Sequence, residues 1–263
     1  MLYDYWQRQE PGKALFPDIE WSKPEQKTHA GRLAIIGGNS LGFAAVVGAH
    51  EEATRSGIGT TRILLPNALK KNLPKNISEV IFVPTNTSGG FSKDAEPELH
   101  AAMAWASVAL YIGDTGRNSE TAVVLETLLR MHATPTVITR DAIDLLKNAA
   151  STIAERPQTL LVLSFAQLQK LFQTIYYPKV LTFSMQLANL VEALHKFTIT
   201  YPVTIATLHN EQLVMAHGGQ VVTMSWHNPM AIWRGSVASR MATYWAWFPE
   251  RPLEATAGAV VDY

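Results

Sequence analysis

The chain has 263 residues, 47% of them hydrophobic and 17% charged, so it is long enough for one large domain with a substantial core and too apolar to be disordered. Twenty-two basic residues balance twenty-two acidic ones, which argues against a nucleic-acid partner. Cysteine is absent, which excludes disulfides, thiolate metal sites and a cysteine nucleophile.

Residues 1–30 are polar and punctuated by Pro11, Pro17 and Pro24, and read as an extension that Trp6 and Trp21 anchor onto a body over 31–263. Their opening lacks a basic segment followed by an apolar core, so no signal peptide is expected. No run of about 18 apolar residues marks a membrane helix. A cytoplasmic protein without a membrane partner is the expectation.

RLAIIGGNS (32–40) reads as a buried strand entering a tight turn, followed by a helix over 44–57 that Gly57 stops. Strands are expected over 60–67, 79–85, 107–116, 134–141, 159–164 and 202–208. Helices are expected over 97–106, 119–132 with Ser119 as N-cap, 142–151, 165–172 and 185–199. Residues 211–226 read as a hairpin turning at Gly218-Gly219, Asn228-Pro229 as a turn, and 236–247 as the last helix. Continuous apolar strands alternating with helices predict an α/β fold with a mostly parallel sheet covered on both faces. Ligands of such folds bind at the carboxyl edge of the strands.

Four stretches there carry polar or glycine-rich character. The Gly37-Gly38-Asn39 turn brings backbone amides to the end of a strand, as a ligand cradle or as a packing turn. It matches neither the dinucleotide G-x-G-x-x-G spacing nor a phosphate-binding Gly-Lys-Ser/Thr loop. Gly113-Asp114-Thr115-Gly116-Arg117 places flexible backbone and a carboxylate at the same edge. Arg140-Asp141 sits where a strand gives way to a helix, with Asp141 as ligand contact or helix cap. Arg234-Gly235-Ser236 opens the last helix, where free first-turn amides attract anions. The eight histidines show no metal-ligand spacing, so no metal site is expected. The aromatic run Trp226, Trp233, Tyr244, Trp245 and Trp247 reads as core or interface.

The order of these pieces is more specific than any one of them. THAGRLAIIGGNSLGFAAVVGAHEEATRSGIGTTRILLP (28–66), ALYIGDTGRNSET (109–121), PTVITRDAIDLL (135–146) and RPLEATAGA (251–259) together resemble the ribokinase-like ATP/ADP-dependent NAD(P)H-hydrate dehydratases. The resemblance implies a ribokinase-like three-layer α/β/α domain that binds a hydrated nicotinamide nucleotide beside ATP or ADP with Mg²⁺. It places Gly38, Asn39 and Asp141 near the substrate. Gly113, Asp114, Gly116 and Arg117 fall at the edge of the site, with Arg234, Gly235 and Ser236 at the nucleotide. Family members are often oligomeric, which makes the Trp-rich last helix a candidate interface and the chain a homo-oligomer.

The departures lie where the chemistry belongs. The family's Gly-Gly-Ser-Gly-Asp-Val-Leu loop lies over IWRGSVASR (232–240): Trp233 and Arg234 replace two glycines, and the catalytic Asp position falls on Val237 or a neighbour equally unable to ionise. Gln167 occupies the glutamate position of a His-Pro-Gly-Glu segment, and TLHNEQ (207–212) lacks the family's lysine. Losing the carboxylate base is expected to cost about 10²–10⁴ in rate. The favoured expectation is a catalytically degenerate homologue that retains nucleotide or anion binding through Arg234. The alternative is an active dehydratase of nicotinamide nucleotide repair.

Overall fold

A computed structural model of the chain describes residues 3–73, 77 and 79–263, so the first two residues of the 1–30 stretch lie outside the described residues. Its elements run β1 (Trp6–Gln9), α1 (Pro17–Trp21), β2 (Arg32–Gly37), α2 (Ala44–Ser56), β3 (Thr60–Pro66), β4 (Val80–Val83), α3 (Glu96–Trp105) and β5 (Val108–Gly113). They continue with α4 (Ser119–Met131), β6 (Thr136–Thr139), α5 (Asp141–Leu145), α6 (Ala150–Glu155), β7 (Thr159–Ser164), α7 (Phe165–Thr174) and α8 (Leu187–Thr200). The last third holds β8 (Thr204–His209), β9 (Gln212–His217), β10 (Gln220–Ser225), α9 (Pro229–Trp233), α10 (Ser236–Trp247) and α11 (Pro252–Gly258).

The described strands form one sheet in the order β1-β10-β9-β8-β7-β6-β5-β2-β3-β4, antiparallel only at β8-β9 and β9-β10. Alternation along each strand explains why both faces are covered. Leu33 and Ile35 of β2, with Val108, Leu110 and Ile112 of β5, pack beneath α2, α10 and α11. Ala34, Ile36, Ala109 and Tyr111 point the other way, beneath α3, α4, α7 and α8. The result is the expected three-layer α/β/α architecture around a mostly parallel sheet. None of the described helices is long and apolar enough to cross a membrane.

Several local expectations are corrected. Residues 6–9 form an edge strand parallel to β10, with Trp6 opposite Val221. Trp6 is buried and its indole N–H donates to Thr223 Oγ1 at 2.9 Å, whereas Trp21 is 88% exposed and anchors nothing. The helix expected over 142–151 is broken into α5, a short 3₁₀ turn over Lys147–Ala149, and α6. Asn118, not Ser119, caps α4, its side chain accepting from the amides of Glu120 and Thr121. Asn228-Pro229 begins the single turn of α9 rather than a reverse turn. Of the two readings of the aromatic run, core holds for Tyr244 and Trp245, which are buried against the sheet and α11 because this helix carries apolar residues around most of its circumference.

Candidate functional site

The carboxyl ends of β2, β5, β6 and β7 meet at one edge, and polar side chains lace them together. Gly38 turns the chain after β2 with φ +81°, and its N–H donates to the Gly113 carbonyl at 2.9 Å. A Cβ on Gly38 would stand 2.8 Å from Leu65 Cδ2, so the turn needs glycine for space as well as for its backbone angle. Asn39 Nδ2 donates to the Asp114 carbonyl at 2.7 Å, while Asn39 Oδ1 takes the amide of Leu41 at 2.7 Å.

Asp114 is the centre of the arrangement. Its backbone adopts φ +55°, uncommon for a residue with a Cβ. One carboxylate oxygen accepts from the amide of Ala45, in the first turn of α2, at 2.9 Å, a favourable place for negative charge. The other forms an ion pair with Arg140 Nη2 at 2.6 Å. The Asp114 amide donates to Asp141 Oδ1 at 2.9 Å, so Asp141 braces the neighbouring loop instead of capping its own helix. A Cβ on Gly113 would collide with that same Asp141 oxygen. Gly116 faces the Asn39 amide, where a Cβ would lie 3.2 Å from Nδ2.

Arg140, also at positive φ, carries the network across the sheet. Its Nη1 donates to the Trp233 carbonyl at 2.9 Å, and its backbone carbonyl accepts from Gln167 Nε2 at 2.8 Å. Gln167 Nε2 also donates to Asp144 Oδ2 at 2.8 Å, while Oε1 takes the Ser164 amide at 3.0 Å in a capping box that starts α7. A glutamate here would lose both donations, so the amide fits this environment and a carboxylate does not.

The loop before α10 lies on the other face of the sheet. Gly235 caps this helix at φ +86° and packs so closely that a Cβ would meet Ile112 Cδ1 at 2.5 Å and Arg140 Cδ at 3.1 Å. Trp233 ends α9 with its side chain 54% exposed, so it does not fill the loop, and the Arg234 side chain is exposed beside it. Ser236 donates its hydroxyl to the Ala231 carbonyl at 3.0 Å and accepts from the Tyr263 hydroxyl at 2.7 Å. Val237, at the position where the resemblance expects a carboxylate, is fully buried among Ile112, Ala238 and Met241.

A cleft of about 720 Å³ opens on the opposite side, between α4, α5 and α7. Arg117, Asp141, Gln167 and Lys170 line it over an apolar floor that includes Ile138 and Leu161. The expected site residues therefore fall into two groups. Gly38, Asn39, Gly113, Asp114, Gly116 and Asp141 share one hydrogen-bonded edge, with Arg117 beside it at the cleft. Arg234, Gly235 and Ser236 belong to the loop before α10, which meets that edge at Arg140 and Ile112. Among the described residues no group of three or more His, Asp or Glu side chains is placed to hold a metal ion.

Sequence reading missed one loop at this edge. Asn86 donates from Nδ2 to the carbonyl of Phe91 at 2.9 Å and to the side chains of Asn118 and Thr121 at 3.1 and 3.0 Å. The Gly89 carbonyl then takes the amide of Ser40 at 2.9 Å, fixing this loop over the turn after β2. The signal was the TNTSGG run (85–90), whose Asn and Gly-Gly mark a tight loop at a strand end.

No family model matches the chain, and no curated protein matches it. Solved structures do. A ribokinase-like superfamily protein of Enterococcus faecalis superposes with a TM-score of 0.73 at 20% identity, covering 99% of this chain and 87% of its own. An ADP/ATP-dependent NAD(P)H-hydrate dehydratase of Bacillus subtilis, co-crystallised with ATP and Mg²⁺, gives 0.61 at 13% identity over 90% of this chain and 79% of its own. A phosphomethylpyrimidine kinase of Clostridium difficile gives 0.54 at 11% over 88% and 97%. At such identities the likenesses speak for architecture alone, and together with the layer order and the sheet they establish that this chain has the ribokinase-like fold.

Proposed function

We propose that this chain is a catalytically degenerate relative of the NAD(P)H-hydrate dehydratases that retains a site for a nucleotide or similar anion. The observation that carries the reading is Val237. It is an enclosed aliphatic side chain at the start of α10, where activating a hydroxyl needs a carboxylate within hydrogen-bond reach. The two carboxylates at the neighbouring strand ends already serve as braces. Asp114 is committed to Arg140 and to the Ala45 amide, and Asp141 Oδ1 to the Asp114 amide.

Binding has better support than turnover. No acceptor within the described chain takes the amide hydrogens of Ser236, Val237 and Ala238 in the first turn of α10, and Arg234 stands exposed beside them. Such a helix start suits phosphate oxygens. Arg140 adds a buried Nε without a partner close to the same loop. The described residues offer no carboxylate cage for Mg²⁺, so the ion would arrive held by the phosphates of the nucleotide.

The test is calorimetric titration with ADP and with ATP plus Mg²⁺, beside an Arg234→Ala variant and a dehydratase assay on hydrated NADH. Micromolar binding weakened in the variant, without turnover, is the expected result. Steady dehydration of hydrated NADH would replace this reading with that of an active dehydratase. No heat with either nucleotide would remove the anion site.

A further inference from the structure

The crossover from β6 to β7 is slight. α5 has five residues and α6 six, with a 3₁₀ turn between them, whereas the flanking α4 and α7 have thirteen and ten. Two short turns do not fill the space that a full crossover helix takes between its neighbours. The cleft of about 720 Å³ is what they leave open. That size falls among pockets that enclose small molecules, roughly 300–1,000 Å³. Its walls run from Ser119 to Glu126 on α4 and from Gln167 to Thr174 on α7. Each wall covers roughly two turns of helix, which makes a trough about 10 Å long.

The lining separates into an apolar trough and a charged rim. Ile138 of β6 and Leu161 of β7 form the floor, with Ile143 and Leu171 beside them. Val123 on α4 lines the same space and is 59% exposed, an aliphatic side chain left in water. The three carboxylates of the lining are already engaged. Asp141 Oδ1 accepts from the Asp114 amide, Asp144 pairs with Lys170 at 3.3 Å, and Glu126 pairs with Arg130. Arg117 and Lys147 are exposed and have no ion-pair partner among the described residues. Arg117, Lys147, Lys170 and Arg130 against Glu126, Asp141 and Asp144 leave one positive charge in excess above an apolar floor.

We propose that the cleft between α4 and α7 binds an elongated apolar molecule with a single anionic end, of which a medium-chain carboxylate is the simplest form. The tail lies along Ile138 and Leu161 and covers Val123. The head stays at the rim, where Arg117 and Lys147 supply charge on long stems and water still solvates it. Burial of the tail provides the affinity, and the rim selects the head. This site is separate from the loop before α10 and does not depend on a nucleotide binding there.

The experiment is calorimetric titration of the full chain with decanoate and with octanoate, beside a Val123→Glu variant and an Arg117→Gln/Lys147→Gln double variant. All three replaced side chains are exposed, so the variants should keep the fold, which melting temperatures check. Decanoate should bind with a dissociation constant below about 1 mM, and octanoate about fifteenfold more weakly for its two missing methylenes. Val123→Glu, which puts a negative charge on the wall, should weaken decanoate about tenfold, and the double variant by a similar factor. No decanoate binding below about 1 mM in the unaltered chain would overturn the site. An affinity that Val123→Glu leaves unchanged would place the binding elsewhere and overturn it too. An affinity that the double variant leaves unchanged would overturn the anionic head.

Discussion

Arg140 and Asp114 join β6 to β5 through an ion pair of 2.6 Å, and the same guanidinium holds the Trp233 carbonyl on the far side of the sheet. This one side chain mechanically couples the two halves of the candidate site. Both partners keep about a fifth to a quarter of their side-chain exposure, so solvent moderates the pair without dissolving it. Replacing Arg140 with Met should cost roughly 2 kcal/mol, because Asp114 and the Trp233 carbonyl lose their donor together. Urea unfolding of the variant measures this, and a loss below about 0.5 kcal/mol would show that the pair is incidental.

Val237→Asp would restore the residue type that the family resemblance expects, and it should not restore activity. The side chain is fully enclosed. Burial without solvent or a cationic partner would hold a carboxyl there protonated, and a protonated acid cannot serve as a base. Destabilisation of at least about 3 kcal/mol in guanidinium unfolding, with no dehydration of hydrated NADH, is the expected outcome.

Gln167→Glu should also destabilise. The new carboxylate would face the carbonyl of Arg140 and the Asp144 carboxylate, which now accept hydrogen bonds from the amide at 2.8 Å each. A loss of about 1–2 kcal/mol is expected. Combining it with Asp144→Asn should recover part of the loss, a non-additivity that a double-mutant cycle in urea reads directly.

His132 and His217 set an acid limit on stability. Burial lowers the pKa of both; His100 and Arg156 lower His132 further, whereas Glu254 pulls His217 back. His132 Nε2 lies 2.7 Å from His100 Nδ1, a contact that requires one nitrogen to carry a lone pair. Groups depressed in the folded state favour folding above their unfolded pKa of about 6.5 and lose that contribution as the pH falls toward the folded value. Melting temperature should therefore drop on acidification below about pH 6.5, and His132→Gln with His217→Gln should flatten that drop. Identical pH profiles for the two proteins would contradict it.

The fold was legible wherever strands were buried on both faces. LAIIG and VALYIG are apolar without interruption, and only a covered parallel sheet accommodates such runs. β1 was not legible, because WQRQ holds four residues and shows solvent its two middle side chains. The break between α5 and α6 was hidden by apolar spacing that continues through Leu146 and Ala149. At the site, the glycines announced their turns. The bracing by Asp141 and the reach of Arg140 to Trp233 did not, since each depends on partners 27 and 93 positions away. The α10 aromatics left core and interface both open, because sequence alone does not show whether a helix is enclosed on one side or on nearly all.

The pairing of β1 with β10 has a consequence for how the chain is made. Trp6 and its partner Thr223 are 217 positions apart. At a synthesis rate of about 5–20 residues per second, the first strand waits roughly ten to forty seconds before its neighbour exists. Throughout that interval a tryptophan and a row of unpaired backbone groups remain available to other chains or to chaperones. β1 leaves the ribosome long before β10 and is thus among the last strands to be secured, and ribosome-bound nascent chains are where premature pairing at this edge would begin.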